Sequence, residues 1–138
     1  QRTLDEAVRT CDQALALDAQ HLEALITRAS ALALSGEPQA ARADLDRAIA
    51  IHPTHATALS NRGAVWLQLN DAAAAEADAT AALRARPGDP HALLTRARAR
   101  AVLGDVTGVR GDCEALSTSF LATPEQRQAA AAVAARLQ

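Results

Sequence analysis

The chain repeats itself every 34 residues, as the spacing of Pro53 to Pro87 and of Pro90 to Pro124 shows. Gly36, Asn70 and Gly104 keep the same step. Shifting the sequence over itself by this period stacks whole columns of like residues. Leu25, Leu59 and Leu93 coincide, as do Arg28, Arg62 and Arg96, each followed by a small residue, Ala29, Gly63 or Ala97. Asp44, Asp78 and Asp112 form another column; Ala14, Ala48 and Ala82 another; Ala7, Ala41 and Ala75 a third, with Val109 as its odd member. A fixed period of this length marks a solenoid, in which each unit buries its apolar face against the next. The 138 residues hold about four such units.

The columns are built of helix formers. The chain is 49% hydrophobic yet 1% aromatic, with Trp66 and Phe120 its only aromatic residues. An alanine- and leucine-rich interior lets helix axes approach closely, and both residues favour helix, so an all-α fold is expected. All basic residues are arginine and methionine is absent. The arginine and alanine excess points to a GC-rich, bacterial coding sequence. The missing methionine suggests that Gln1 lies inside a longer protein or opens a processed form.

Charge and motif content narrow the function. A net charge of −2 argues against nucleic acid as the main partner, because phosphate binding needs a basic face. A locally basic stretch (Arg84, Arg86, Arg96, Arg98, Arg100 and Arg110, against Asp89 and Asp105) reads first as a solvated flank and second as a patch for an acidic peptide. No apolar run reaches the ~20 residues of a membrane span, and no signal-peptide pattern opens the chain. Cys11 and Cys113 share a column three units apart, too far for a disulfide, so buried free thiols are expected. That favours the cytoplasm; a removed leader would allow the periplasm, and the sequence leaves localisation open. His52 and His55 flank the Pro53 turn, with His21 one unit earlier, but a loop pair lacks the third or fourth ligand of a zinc site. No nucleophile–base set, phosphate loop or paired carboxylates stand out. Neither catalysis, cofactor nor metal is expected.

Within a unit the signals alternate as two helices would. Ala56 to Leu69 carries Leu59, Gly63, Trp66 and Leu67 on one stripe, and Asn70 ends it as Gly36 and Gly104 do elsewhere, in the left-handed turn these residues tolerate. A column of N-caps follows, Thr3, Glu37, Asp71 and Asp105; Glu37 is a poor cap, though Pro38 suits a first turn. Ala72 to Arg84 is the second helix, closed by Pro87-Gly88. Asp89-Pro90 and Thr123-Pro124 repeat a cap-then-proline start. The Arg28/Arg62/Arg96 and Asp44/Asp78/Asp112 columns are expected to pair across the two helices of each unit, since arginine's planar fork suits a carboxylate; a ladder that reads ligands is the alternative.

Leu59-x2-Arg62-Gly63-x2-Trp66, followed by Ala75, Ala82 and Pro87, resembles the tetratricopeptide repeat, a helix–turn–helix unit of 34 residues. The resemblance implies a right-handed α-solenoid of eight helices. It divides the chain into an orphan second helix of a truncated repeat (1–21), full repeats at 22–55, 56–89 and 90–123, the last degenerate, and a capping helix at 124–138. Departures gather at the ends. Ala19 replaces a proline, Arg100 stands where Leu32 and Trp66 supply bulk, Gly108 and Gly111 weaken the helix from Val106 to Leu116, and Arg127 takes the column leucine's place. In the last helix Gln126, Arg127 and Gln128 should face outward, with Val133 and Leu137 inward.

The family resemblance further implies a concave face made of first helices. Here it would comprise Glu23, Ile26, Thr27, Ser30 and Leu34, then Thr57, Ser60, Asn61, Ala64 and Gln68, then His91, Leu94, Thr95 and Arg98. Such a surface would hold an extended peptide or amphipathic helix. A subset of the family grips a C-terminal aspartate with a two-carboxylate clamp. Asn61 matches one clamp site, but Ile26, Ser30, His91 and Thr95 at the others cannot do that chemistry. The expected function is a non-catalytic protein–protein interaction or scaffold module. The alternatives are self-assembly into homo-oligomers through the N-terminal helix, whose Leu4, Ala7, Val8, Cys11, Ala14 and Leu15 would be uncovered, and a regulatory repeat segment of a larger bacterial enzyme. By the same reading the C-terminal end, closed by a polar cap, should not be sticky.

Overall fold

In a computed structural model, which describes residues 2–137, the chain forms eight helices: α1 Arg2–Leu17, α2 Leu22–Leu34, α3 Pro38–Ile51, α4 Ala56–Gln68, α5 Ala72–Ala85, α6 Pro90–Leu103, α7 Val106–Thr118 and α8 Pro124–Ala135. None is long and apolar enough to cross a membrane. Each helix packs antiparallel-fashion on its sequence neighbour, and α2, α4, α6 and α8 also touch one another in series. Among the described residues α1, α3, α5 and α7 make no such mutual contacts. One side of the stack is therefore drawn together and the other splayed, which makes the even-numbered helices the inner face of an all-α solenoid.

The small columns explain the closeness. Ala41 and Ala48 of α3, Ala75 and Ala82 of α5 and Ala97 of α6 are all 0% exposed, so these helices pack on their neighbours over alanines. Gly63 is the tightest point. A Cβ there would lie 3.2 Å from Thr95 Cγ2 and 3.3 Å from the Ala75 carbonyl oxygen, where α4, α5 and α6 converge. Larger apolar residues gather at the two ends of the stack: Leu25, Ile26, Leu45 and Val65 toward the first, Leu93, Leu94, Val109 and Leu116 toward the last. Helices of this length are marginal alone, so this shared interior carries the fold.

The turns follow the expected chemistry with three corrections. Gly36 (φ 82°), Asn70 (φ 62°) and Gly104 (φ 80°) take the left-handed conformation after α2, α4 and α6. Asp71 Oδ1 accepts from the Ala74 amide at 3.0 Å and Asp105 Oδ1 from the Gly108 amide at 2.9 Å. Thr3 is no cap, because α1 already begins at Arg2 and Thr3 lies within it. Asp89 makes no side-chain cap bond, nor does Glu37, and in both cases a proline opens the helix instead. Histidine takes up capping in the other turns: His21 Nδ1 accepts from Ala24 N at 3.1 Å and His55 Nδ1 from Ala58 N at 3.2 Å. His21, His55, Asp89 and Thr123 are one column at the repeat period, and Thr123 completes it with a capping box to Gln126. Gln126 accordingly folds back on its own helix start, while Arg127 and Gln128 face solvent. Gly108 is more than a weak helix position: a Cβ there would collide with the Asp105 carboxylate and lie 2.8 Å from Arg100 Cδ.

Two of the three column arginines, Arg28 and Arg62, staple three helices at a time. Arg28 Nε and Nη2 donate to both Asp44 oxygens at 2.7 Å, while its Nη1 reaches back to Asp12 of α1 at 2.8 Å. Arg62 repeats this with Asp78 at 2.7 and 2.9 Å and Asp46 of α3 at 2.9 Å. The aspartates Asp44, Asp78 and Asp112 are buried. Hydrogen bonding to those carboxylates raises the affinity of Arg28 and Arg62 for their protons, burial opposing it. The ladder thus acts as architecture: each arginine joins a first helix to its own second helix, and Arg28 and Arg62 also reach the second helix before.

Cys11 and Cys113 are buried and free, and burial pushes both thiols up. Cys113 Sγ lies 3.3 Å from the Ala130 carbonyl oxygen, tying α7 to α8.

Exposed apolar bulk is distributed otherwise than expected. In α1, Cys11 is buried and Leu4, Ala7, Val8, Ala14 and Leu15 are half-buried, leaving Leu17 as that helix's large exposed apolar side chain. In the last third, Val102, Leu103, Val106, Phe120 and Leu121 are all exposed. Val102 and Leu103 end α6, Val106 opens α7, and Phe120 and Leu121 lie in the turn before α8, which covers none of them.

Candidate functional site

The inner face holds a groove of about 540 Å³ across α2, α4 and α6, with Leu45 of α3 at its floor. Small residues shape it: Ala29 and Ala33 from α2 and Ala64 from α4 keep the walls back, while Leu34, Val65 and Leu67 make them apolar. Ser30, Asn61, Gln68, His91, Thr95 and Arg98 supply the polar atoms.

Four of those polar groups, Ser30, Asn61, Gln68 and His91, are pre-set by bonds that run from one helix to the next. Asn61 Nδ2 donates to Ser30 Oγ at 3.3 Å, and Gln68 Nε2 to the Ala33 carbonyl at 3.2 Å. With their amide nitrogens so engaged, the carbonyl oxygens of Asn61 and Gln68 remain as acceptors. Ser60 Oγ and His91 Nδ1 share a 2.6 Å hydrogen bond. Burial lowers the His91 proton affinity below its ordinary value; Asp89 works against that and Arg98 adds to it. Arg98 is exposed and forms no ion pair among the described residues. It is also the one charged residue in the groove lining.

Ser30, Leu34, Asn61, Ala64, Gln68, His91, Thr95 and Arg98 line the groove as the sequence suggests. The other expected residues lie elsewhere. Ile26 and Leu94 are each 6% exposed and belong to the apolar interior, so they offer a ligand no anchor. Ser60 is 1% exposed beneath His91. Glu23 and Thr27 are exposed on α2, and Thr57 half-buried on α4, all outside the groove lining. The groove sits one helical turn further along α2 than the sequence stripe implies. Ala29 and Ala33, four residues apart, were the signal: two small residues on one helix face leave a hollow above them.

One further contact underlies this face, and a second hollow lies off it. Ser60 and His91 form a serine–histidine contact that spacing in the sequence does not reveal; it is closed to solvent at the hydroxyl. A second hollow of about 630 Å³ opens between α1 and α2, bounded by Asp5, Val8, Arg9, Leu32, Ser35 and Glu37. One period on, the place of Val8 and Leu32 is filled by Arg42 stacked 5.1 Å over the Trp66 ring. One period further it is filled by Glu76 bonded to Arg100 at 2.8 Å. The hollow is thus the same inter-unit position occupied by smaller side chains. The basic stretch divides likewise: Arg96 and Arg100 are spent on Asp112 and Glu76, and Arg84, Arg86, Arg98 and Arg110 face solvent. His52 and His55 pack edge to face at 5.4 Å, with the His55 Nδ1 used in its cap.

The repeat geometry and the small columns have a counterpart among known families: the tetratricopeptide repeat profile matches residues 1–56 and 28–90. The chain belongs to the tetratricopeptide repeat family. No curated protein matches its sequence. Solved structures do. A tetratricopeptide repeat protein from Parabacteroides merdae superposes with a TM-score of 0.80 at 24% identity, over 96% of this chain and 52% of that one. The chain thus spans about half the length of that protein. The first tetratricopeptide domain of Spaghetti (RPAP3), bound to the HSP90 peptide SRMEEVD, has a TM-score of 0.69 at 23% identity, over 85% of this chain and 96% of that one. The second such domain of human RPAP3, in complex with the HSP70 peptide SGPTIEEVD, has a TM-score of 0.68 at 22% identity, over 77% and 88%. At these identities the likeness is one of fold. The repeats here carry no lysine at all.

Proposed function

We propose that this tetratricopeptide array is a non-catalytic protein-interaction module whose groove across α2, α4 and α6 receives a peptide or helix of a protein partner. The groove's construction carries the reading. It is a preformed concave surface with apolar walls and a few convergent polar groups, the usual make-up of a recognition site. Ser30, Asn61, Gln68 and His91 are held by bonds between helices, which lowers the ordering that opposes binding. Peptides bound by two structural neighbours support the class of ligand. The particular chemistry differs. With Ser30, His91 and Thr95 around Asn61, the groove has no second fixed cation for a two-carboxylate grip, and Arg98 alone sets a preference for an acidic side chain.

The double variant Asn61→Ala with Arg98→Glu tests this. It should abolish capture of a native partner while helicity by circular dichroism is kept. Undiminished binding by that variant overturns the assignment.

A further inference from the structure

We propose that the groove is filled by the Phe120–Leu121 turn of a second copy of this chain, so that copies join knob into hole. The inference rests on the groove being a docking surface and names its occupant.

Phe120 is 102% exposed and Leu121 69% exposed, in the turn between α7 and α8. Solvent-facing turns are ordinarily polar, and Phe120 is one of only two aromatic residues in the chain. The turn is nevertheless firmly built. Leu121 N donates to Ser119 Oγ at 3.1 Å, Arg127 Nη2 donates to the Ser119 carbonyl at 2.6 Å, and the Thr123–Gln126 capping box fixes the start of α8. The backbone beneath the two side chains is thus held before any contact forms, which lowers the cost of association.

The groove is the matching half. Alanines hollow it, Leu34 is 76% exposed at its edge, and no aromatic residue lines it. Charge is complementary as well. Arg98 is the groove's one charged lining residue, whereas the turn and its flanks carry Glu114 and Glu125 against one cation, Arg127, whose guanidinium is engaged with the Ser119 carbonyl. The turn does not reach the groove of its own chain, since Phe120 is fully in solvent. Knob and hole are different patches of one molecule, so the contact is heterologous and propagates into rings or filaments rather than stopping at a two-fold dimer.

Two variants make the test. Phe120→Asp removes the knob and Ala64→Trp fills the hole; circular dichroism checks that each still folds, with Arg98→Glu standing in should Ala64→Trp lose helicity. Sedimentation velocity is run from micromolar to millimolar protein. The wild type should grow beyond a dimer as concentration rises, and each variant alone should stay monomeric, with association weakened at least tenfold. An equal mixture of the two should form a 1:1 heterodimer and nothing larger, because only one junction can close. A wild type that is monomeric at millimolar concentration overturns the inference. So does association that survives Phe120→Asp, or that is lost on Val8→Glu in α1 instead. If Ala64→Trp abolishes capture of a foreign peptide while the wild type never self-associates, the occupant is wrong and the groove stands. If neither occurs, both readings fall.

Discussion

Arg62 and Arg96 hold the same place one period apart, yet they sit in different electrostatic surroundings. Arg62 bridges three helices, with Asp78 on one side and Asp46 on the other. Arg96 has Asp112 but no carboxylate behind it, because Thr80 stands one period on from Asp46. The link to the preceding unit is made by Arg100, which holds Glu76 at 2.8 Å and Asp112 at 3.1 Å. Burial pulls the Arg100 proton affinity down, but Glu76, Asp112 and Asp105 together raise it. Gly108 belongs to the same adjustment, since a side chain there would meet Arg100. The third unit has thus moved its inter-unit tie from one turn of the helix to the next. What looks like decay in the sequence is a substitution of one bond for another.

The sharpest way to break this comparison is to remove each arginine in turn. Arg62→Ala leaves Asp78 buried without its partner, and breaking a buried pair costs about 3–5 kcal/mol. Arg96→Ala should cost clearly less, because Arg100 still reaches Asp112. The double variant Arg96→Ala with Arg100→Ala should then exceed the sum of its single changes. Urea unfolding followed by circular dichroism measures all four. Equal losses for Arg62→Ala and Arg96→Ala would mean that Arg100 does not share the load.

The alanine columns come next. Replacing Ala29, Ala48 or Ala75 by Leu overpacks a helix contact in which the native side chain is 0–1% exposed, at a cost of about 1–3 kcal/mol. Ala73 and Ala131 are exposed and should tolerate the same change. Thermal melts that fail to separate the two sets would contradict the register of the whole array.

A smaller effect separates Glu37 from Asp71, the same turn in successive units. Asp71 caps its helix and Glu37 does not. Glu37→Asp should therefore gain about 0.5–1 kcal/mol, the usual worth of an N-cap. Asp71→Glu should lose a like amount. If both changes leave the urea midpoint where it was, Pro38 already does the cap's work.

These contrasts show what could and could not be read beforehand. Period, helix pairs, small columns and the arginine–aspartate rungs were legible because each is a local pattern repeated three times. The left-handed turns at Gly36, Asn70 and Gly104 were legible from residue type. Capping by His21 and His55 was missed since histidine is not a usual cap and its role depends on which ring nitrogen faces the helix. The groove was half legible. Its polar residues follow from the first-helix stripe, but Ile26 and Leu94 lie where the helices roll together, and that roll is set by Ala29, Gly63 and Ala97 jointly with their neighbours. The link from Arg100 to Glu76 spans units, so no single repeat contains the signal.

The last and smallest contrast is between Thr57 and His91, which occupy one column. His91 bonds Ser60 in the groove wall, and burial holds its folded proton affinity below the ordinary value. A group depressed in this way binds fewer protons folded than unfolded, so stability rises with pH and is lost as pH falls through about 6.5, the unfolded value. His91→Gln has no such proton to take up, and its amide can keep a bond to Ser60. The difference in unfolding free energy between wild type and variant should therefore be constant above pH 7 and shrink in the wild type's disfavour toward pH 5. Subtracting the variant's curve cancels the shared carboxylates. A parallel pair of stability curves would show that His91 titrates in the folded chain as it does unfolded, and that burial does not depress its proton affinity.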